Sequence, residues 1–258
     1  MALFVGDKVQ MSLTFYIIFH KDLFPKNTEA FTYSEIKSIF TWVGVNQDIQ
    51  KIIPWRMRGY PIIYEYKMRF HNPFFQKNNF YQNSVFFHLY RNQSYLNSKF
   101  VGFGQYDMKF ERSSIPTLID DHVYGYFPYE NEAIWNMFPR DFWQETFLDE
   151  YNRYYETSHT FEDLSKYPFF LYHTFILPTS FFLHIMPFVE HASNTLLAKL
   201  PTTRHIAGSL ERVFALCITA GLVEGKLKGH RTLSISHVGE QHTGDPLRGI
   251  VKGRIYHT

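Results

Sequence analysis

The chain has 258 residues, 45% of them hydrophobic, and a formal net charge of +2. That length and apolar content call for one packed α/β domain, with room for a small appendage, rather than for disorder. The near-neutral balance, without a long basic run, excludes broad binding to a nucleic-acid backbone, and the single cysteine, Cys217, excludes an intramolecular disulfide or a cysteine-built zinc site.

Aromatic residues are plentiful, with 27 Phe, 18 Tyr and 4 Trp. Rings in such number suit sugar-stacking surfaces, but for any one of them the core is the expected place. Asp7 and Lys8 interrupt the first candidate leader peptide, and no run reaches the ~18 apolar residues of a membrane span. The expectation is a soluble, cytoplasmic protein from a reducing compartment, with no membrane span and no nucleic-acid partner.

Residues 1–12 read as a loose leader. Leu13–Phe19 is apolar on both faces, the pattern of a central strand. It runs into His20, Lys21 and Asp22, a polar cluster at a strand's C-terminal end that is either a ligand contact or a solvated turn. A second strand is expected within Glu35–Val45, at Ile39–Val45, although the spacer is short for a helical crossover between parallel strands. In residues 46–79, Trp55, Arg56, Arg58, Arg69 and Lys77 set cations among aromatics. They suit a diphosphate or, for most of them, an ordinary solvated loop.

Gln82–Asn92 reads as a helix with Val85, Phe86, Leu89 and Tyr90 on one face. Phe100–Tyr106 is a buried strand carrying two glycines, and Asp107 stands where it should stop, either opening a turn or facing a cleft. Residues 111–137 are loop-rich, with Pro116, Gly125 and Pro128, and are a candidate cap for an acceptor. Pro139–Tyr155 reads as an amphipathic helix whose stripe of Phe142, Trp143, Phe147, Tyr151 and Tyr154 is expected in the core. Thr174–Leu177 is a short strand closed by Pro178. Thr179 then opens a helix towards Leu200 that Pro187 should kink or interrupt. Leu210, Val213, Phe214 and Cys217 mark the clearest helix, with Gly221 as its expected cap and Arg204, Gly208, Glu211 and Arg212 on the other face. Beyond Gly225 the composition shifts to Gly, His and Lys.

Several of these stretches, taken in order, resemble one family. Tyr81–Tyr90 with its polar punctuation, Phe100–Asp107, Phe175–Pro178 and Arg204–Phe214 with Gly208 and the Glu211-Arg212 pair are similar to small GT-A glycosyltransferases. Relatives occur in bacterial polysaccharide loci and large algal DNA viruses. The resemblance spans roughly residues 13–220 and departs from the pattern where Gln105-Tyr106-Asp107 replaces the His-Tyr-Arg of many bacterial members. A full Asp-x-Asp triplet is absent.

The resemblance implies a GT-A-like, Rossmann-like α/β fold: a mixed sheet flanked by helices in a single domain. Residues 13–110 would be the nucleotide-sugar half, 111–224 the acceptor and catalytic half, and 225–258 a flexible or ligand-ordered tail. It implies transfer of a sugar from a nucleoside-diphosphate donor, by default a UDP-hexose (galactose or glucose), to a glycan acceptor, with Mn2+ or Mg2+ as cofactor. His20, Lys21, Tyr81, Gln105, Tyr106 and Asp107 would hold the donor. Asp107 is the first metal ligand, and His242, in a tail that also offers His237 and Asp245, is the second. Glu211 is the catalytic carboxylate; its structural alternative is an ion pair with Arg212 or Arg204. Two other functions stay open: a nucleotide- or sugar-binding module of the same fold without the chemistry and, last, a metal-dependent hydrolase, which lacks a compact His-x-His or His-Glu-x-x-His motif.

Overall fold

Where both faces of a strand are apolar, it must be covered on both sides, and β1 (Leu13–Phe19) is buried at every position but Thr14. The computed structural model describes residues 12–20, 23, 25–45, 55–115, 117–126, 128–129 and 138–237. β1 pairs in parallel with β2 (Phe40–Gly44), which in turn pairs with β3 (Ile62–Tyr64). On its other side β1 pairs in parallel with β4 (Phe100–Gln105), in a register that runs from Leu13 opposite Phe100 to Ile18 opposite Gln105.

Past β4 come β5 (Met108–Phe110), β6 (His122–Gly125), β7 (Pro128–Tyr129), β8 (Phe169–Phe170), β9 (Phe175–Pro178), β10 (Gly229–Thr232) and β11 (Ile235–His237). Among the described residues the main sheet has seven strands in the order β10-β6-β9-β4-β1-β2-β3. β9 runs antiparallel to both its neighbours, β4 and β6. β5 with β11 and β7 with β8 form two small antiparallel ladders. The sheet is mixed, as expected of a GT-A-like α/β domain.

The short spacer between β1 and β2 is spanned by a 3-10 turn at Pro25–Thr28 and one seven-residue helix, α1 (Tyr33–Ile39). Thr32 caps α1, and Glu35 returns the bond to the Thr32 backbone, a reciprocal box that commits Glu35–Ile39 to helix. The second strand therefore begins at Phe40 and not at Ile39.

The remaining helices are α2 (Phe74–Lys77), α3 (Asn83–Arg91), α4 (Arg140–Trp143), α5 (Asp149–Tyr155), α6 (Phe161–Leu164), α7 (Thr179–Lys199) and α8 (Ile206–Val223). One core cluster joins Tyr16, Ile18, Val101 and Phe103 to α3, α7 and α8; the other lies on the opposite face around Phe15, Ile17, Phe40 and Trp42. Odd and even residues of β1 go to different clusters, as strand alternation requires.

Several sequence expectations are corrected. α7 runs unbroken through Pro187, so of the two expected outcomes, a kink or an interruption, the interruption does not occur. The Pro139–Tyr155 helix divides into α4, a π-helical stretch at Gln144–Leu148 and α5. Trp143, Phe147 and Tyr151 of its stripe are core, whereas Tyr154 is 43% exposed. Gly221 lies inside α8, where an added Cβ would sit 2.5 Å from the Phe181 ring. The left-handed residue beyond the helix is Gly225, at φ 70°, whose N–H donates to the Leu222 carbonyl. Residues 229–232 and 235–237, counted with the tail, are strands β10 and β11. The stretch Thr203–Val223 is long and apolar enough by composition to cross a membrane, although Arg204, Glu211 and Arg212 break it as a continuous run; 78% of that window is buried in the domain.

β1 and β4 approach closely because Gly102 leaves room for Phe15, whose ring would lie 2.3 Å from an added Cβ. Gly102→Ala should overpack this contact and lower stability by about 1–3 kcal/mol. Urea unfolding tests it, and an unchanged midpoint would show that Phe15 can move aside.

Candidate functional site

The C-terminal ends of β1, β2, β3 and β4 lie on one rim of the sheet, and β9, running the other way, starts there. Chain order reverses between β1 and β4, since β2 and β3 extend from one side of β1 and β4 stands on the other. Such a reversal leaves a crevice beyond the strand ends where α/β sheets bind ligands. His20 follows β1, Gln105 ends β4, and Tyr106-Asp107 form the two-residue turn into β5. The His20 and Tyr106 rings meet edge to face, with centroids 4.9 Å apart. Asp107 is only 9% exposed. Below the turn, Asn27 donates from Nδ2 to the carbonyl of Tyr106 at 2.7 Å and to that of Met108.

A second set of groups reaches the rim through the turn between β8 and β9. Tyr172 and His173 adopt φ values of 63° and 48°, two successive left-handed residues that are not glycine. Three bonds hold Tyr172: its N–H donates to Glu211 Oε1 at 2.6 Å, and its carbonyl accepts from Gln105 Nε2 at 2.9 Å and Thr174 Oγ1 at 3.1 Å. Gln105 on β4 and Glu211 on α8 are thus brought together through one backbone unit. Arg212, beside Glu211, is buried and donates from Nη1 to the Gly208 carbonyl at 2.9 Å. Burial pulls its guanidinium below the usual range, while Glu211 and Tyr172 oppose the shift.

His173 is the most perturbed group here. It packs against the rings of Phe86 and Phe214, which also touch each other. Burial first, and then the charge of Arg212, lower its pKa from 6.5 to about 3, against a weaker pull from the Leu210 backbone. Neither Tyr172 nor His173 stands out in the sequence, because the signal is a backbone conformation and not a residue pattern.

Tyr81 is carried by a different segment of the chain. It is 49% exposed, at φ 47°, in the segment leading into α3. Asn79 and Asn83 bind that segment to Thr203 Oγ1 at 2.6 Å and to the Ala207 carbonyl at 3.3 Å, beside the start of α8. Lys21, His242 and Asp245 lie outside the described residues, as does the His237 side chain; the His237 backbone is in register with Met108, next to Asp107. Among the described residues no three His, Cys, Asp or Glu side chains group into a cation site. A divalent ion at the rim would find the Asp107 carboxylate among the described residues and would need phosphate oxygens and water to complete its shell, as Mg2+ sites commonly do.

A cavity of about 550 Å³ opens at the opposite end of the sheet, lined by Leu13, Ile39, Lys99, Phe100, Leu118 and Asp120. We place the site at the rim and not there, because the rim has the chain reversal and the converging polar groups.

The fold superposes on the apo structure of the bifunctional glycosyltransferase WbbM with a TM-score of 0.59 at 11% sequence identity, covering 89% of this chain and 46% of that one. This chain therefore spans about half the length of that protein, and at such identity the likeness is one of fold. No family model and no curated protein matches the sequence.

The buried His173 gives a pH signature. Its folded pKa lies below its unfolded value of 6.5, so between pH 6.5 and about 3 the unfolded chain takes up the proton and the folded chain does not. Stability is retained above 6.5 and lost as pH falls through that window, by about 1.4 kcal/mol per pH unit. His173→Asn, which tolerates the left-handed backbone, should remove this slope in denaturant titrations between pH 6.5 and 4. Parallel pH curves for the two proteins would exclude His173 as the source.

Proposed function

We propose that the chain is a glycosyltransferase that moves a hexose, galactose or glucose, from a UDP donor to a glycan acceptor with the help of Mn2+ or Mg2+. The observation that carries this reading is the meeting of His20, Gln105, Tyr106 and Asp107 with the Tyr172–Glu211 pair at the point where strand order reverses. The fold likeness is consistent with it.

In this reading the His20–Tyr106 wall and Lys21 contact the donor, with Tyr81 at the edge of the rim. Asp107 would hold the divalent ion, with His242 from the tail as its second ligand. The ion's contribution is to neutralise charge on the departing diphosphate. Gln105 and Glu211 fix the Tyr172 turn, which forms the wall facing the acceptor. Glu211 would take the proton from the attacking hydroxyl. Its position on a long helix, with Oε1 anchored to a backbone N–H, restricts where the carboxylate points.

The same bond favours a second reading. A carboxylate committed to a backbone amide has a structural use, as it would in a binding module that retains the fold without the chemistry.

Two variants separate the readings. Asp107→Asn should abolish the Mn2+-dependent part of UDP binding measured by calorimetry; undiminished Mn2+ dependence would remove Asp107 from the cation site. Glu211→Gln keeps an oxygen for the Tyr172 N–H but cannot take a proton. It should preserve UDP affinity and melting temperature while slowing UDP release from UDP-galactose or UDP-glucose by ~10²–10⁴. Unaltered turnover in Glu211→Gln would leave Glu211 a purely structural role, and absence of UDP release from the unmodified chain would favour the binding module.

A further inference from the structure

We propose that Asn27 is the positioning residue for Asp107, an inference that rests on the reading of Asp107 as the donor-side carboxylate. The turn carrying Asp107 has two residues, and β5 beyond it has three. So short a connection does not by itself hold a carboxylate to the fraction of an ångström that cation binding requires. The missing constraint comes from the segment that follows β1.

Asn27 sits in the 3-10 turn Pro25–Thr28 and is 1% exposed. Its side-chain amide has two N–H donors, and Nδ2 bonds the carbonyls on either side of Asp107, that of Tyr106 at 2.7 Å and that of Met108. Seven residues earlier in the chain, the His20 ring packs edge to face on Tyr106 at 4.9 Å. One segment thus grips the Asp107 turn twice, through a ring contact and through paired hydrogen bonds.

The choice of asparagine has a cost that points the same way. Among the described residues Asn27 Oδ1 is buried without a hydrogen-bond partner, and a buried polar atom left so is rare and unfavourable. An apolar residue would avoid the orphan oxygen but would leave two carbonyls without their donor. A serine or threonine has one O–H and reaches one carbonyl at a time. Among small uncharged side chains, the primary amide supplies two donors from one atom. Asn27 therefore acts through Asp107 and touches neither donor nor cation, as the outer partners of metal ligands do.

The test uses the full chain with UDP and Mn2+ as probes, and reads the gain in UDP affinity that Mn2+ produces. Asn27→Asp is nearly isosteric. At about pH 7.5 its ionised carboxylate opposes the two carbonyls, and at about pH 5 any protonated fraction can donate to one of them. The Mn2+-dependent gain should fall by about 10–100-fold at the higher pH, the range typical for outer partners of metal ligands. Part of it should return at the lower pH relative to the unmodified chain, while UDP affinity without Mn2+ stays unchanged. Asn27→Ala should lose the gain at both pH values. If Asn27→Ala does not fold, Asn27→Asp alone decides.

A full Mn2+-dependent gain in folded Asn27→Asp at both pH values overturns the proposal, because a merely structural asparagine would lower the melting temperature and leave the gain intact. Asp107→Asn run in parallel distinguishes the two levels. If it too retains the gain, the reading of Asp107 fails. If it loses the gain while the Asn27 variants keep it, the positioning role fails on its own.

Discussion

The parallel ladder between β1 and β4 is the constraint on which the site depends. Its register, from Leu13 opposite Phe100 to Ile18 opposite Gln105, sets both strand ends at one height. His20 and Asp107 then emerge on the same rim. The ladder forms because both strands are apolar on two faces, and it closes tightly because Gly102 and Gly104 admit the Phe15 ring. Aromatic packing on the far side, Phe15 against Phe110 at 4.8 Å, carries the constraint into β5 and so to the strand that follows the Asp107 turn.

The second half of the rim is built differently. Glu211 and Gln105 meet at Tyr172 through hydrogen bonds and not through packing, and they hold a backbone conformation that costs free energy. A polar arrangement of this kind has defined directions that an apolar contact lacks, which suits the wall of a site. Nearby, Arg212 and His173 share a buried environment in which burial first, and then the cation, keeps the imidazole neutral. A comparable polar network, in which the buried Glu65 faces His88 Nδ1 at 2.9 Å and accepts from Ser84 at 2.6 Å, fixes the segment before α3 on the same side of the sheet.

The strands and the main helices were legible where burial alone dictates the pattern. Leu13–Phe19 and Phe100–Gln105 are runs with no polar alternation, and α3 falls within a residue of Gln82–Asn92 because Val85, Phe86 and Leu89 recur at helical spacing. Where a local signal competes with a tertiary one, the sequence misleads. Gly221 looks like a helix end, yet α8 continues because Phe181 fills the space its missing side chain leaves. Glu65 carries no local signal of burial and yet is buried, because its partner His88 lies 23 residues away. The Asp107 position was legible from a strand that should stop there. The Tyr172–His173 turn was not, since ordinary side chains conceal its left-handed backbone; nor was Asn27, whose amide bonds two carbonyls about 80 residues further along the chain.

The central claim is that a nucleotide binds at the rim between β1 and β4, and a crystal structure of the chain with UDP and Mn2+ tests it most directly. The account predicts the diphosphate and the ion at Asp107, with the nucleoside against His20 and Tyr106. Nucleotide bound instead in the cavity lined by Leu13, Lys99 and Phe100 at the opposite end of the sheet, with the rim empty, would contradict it.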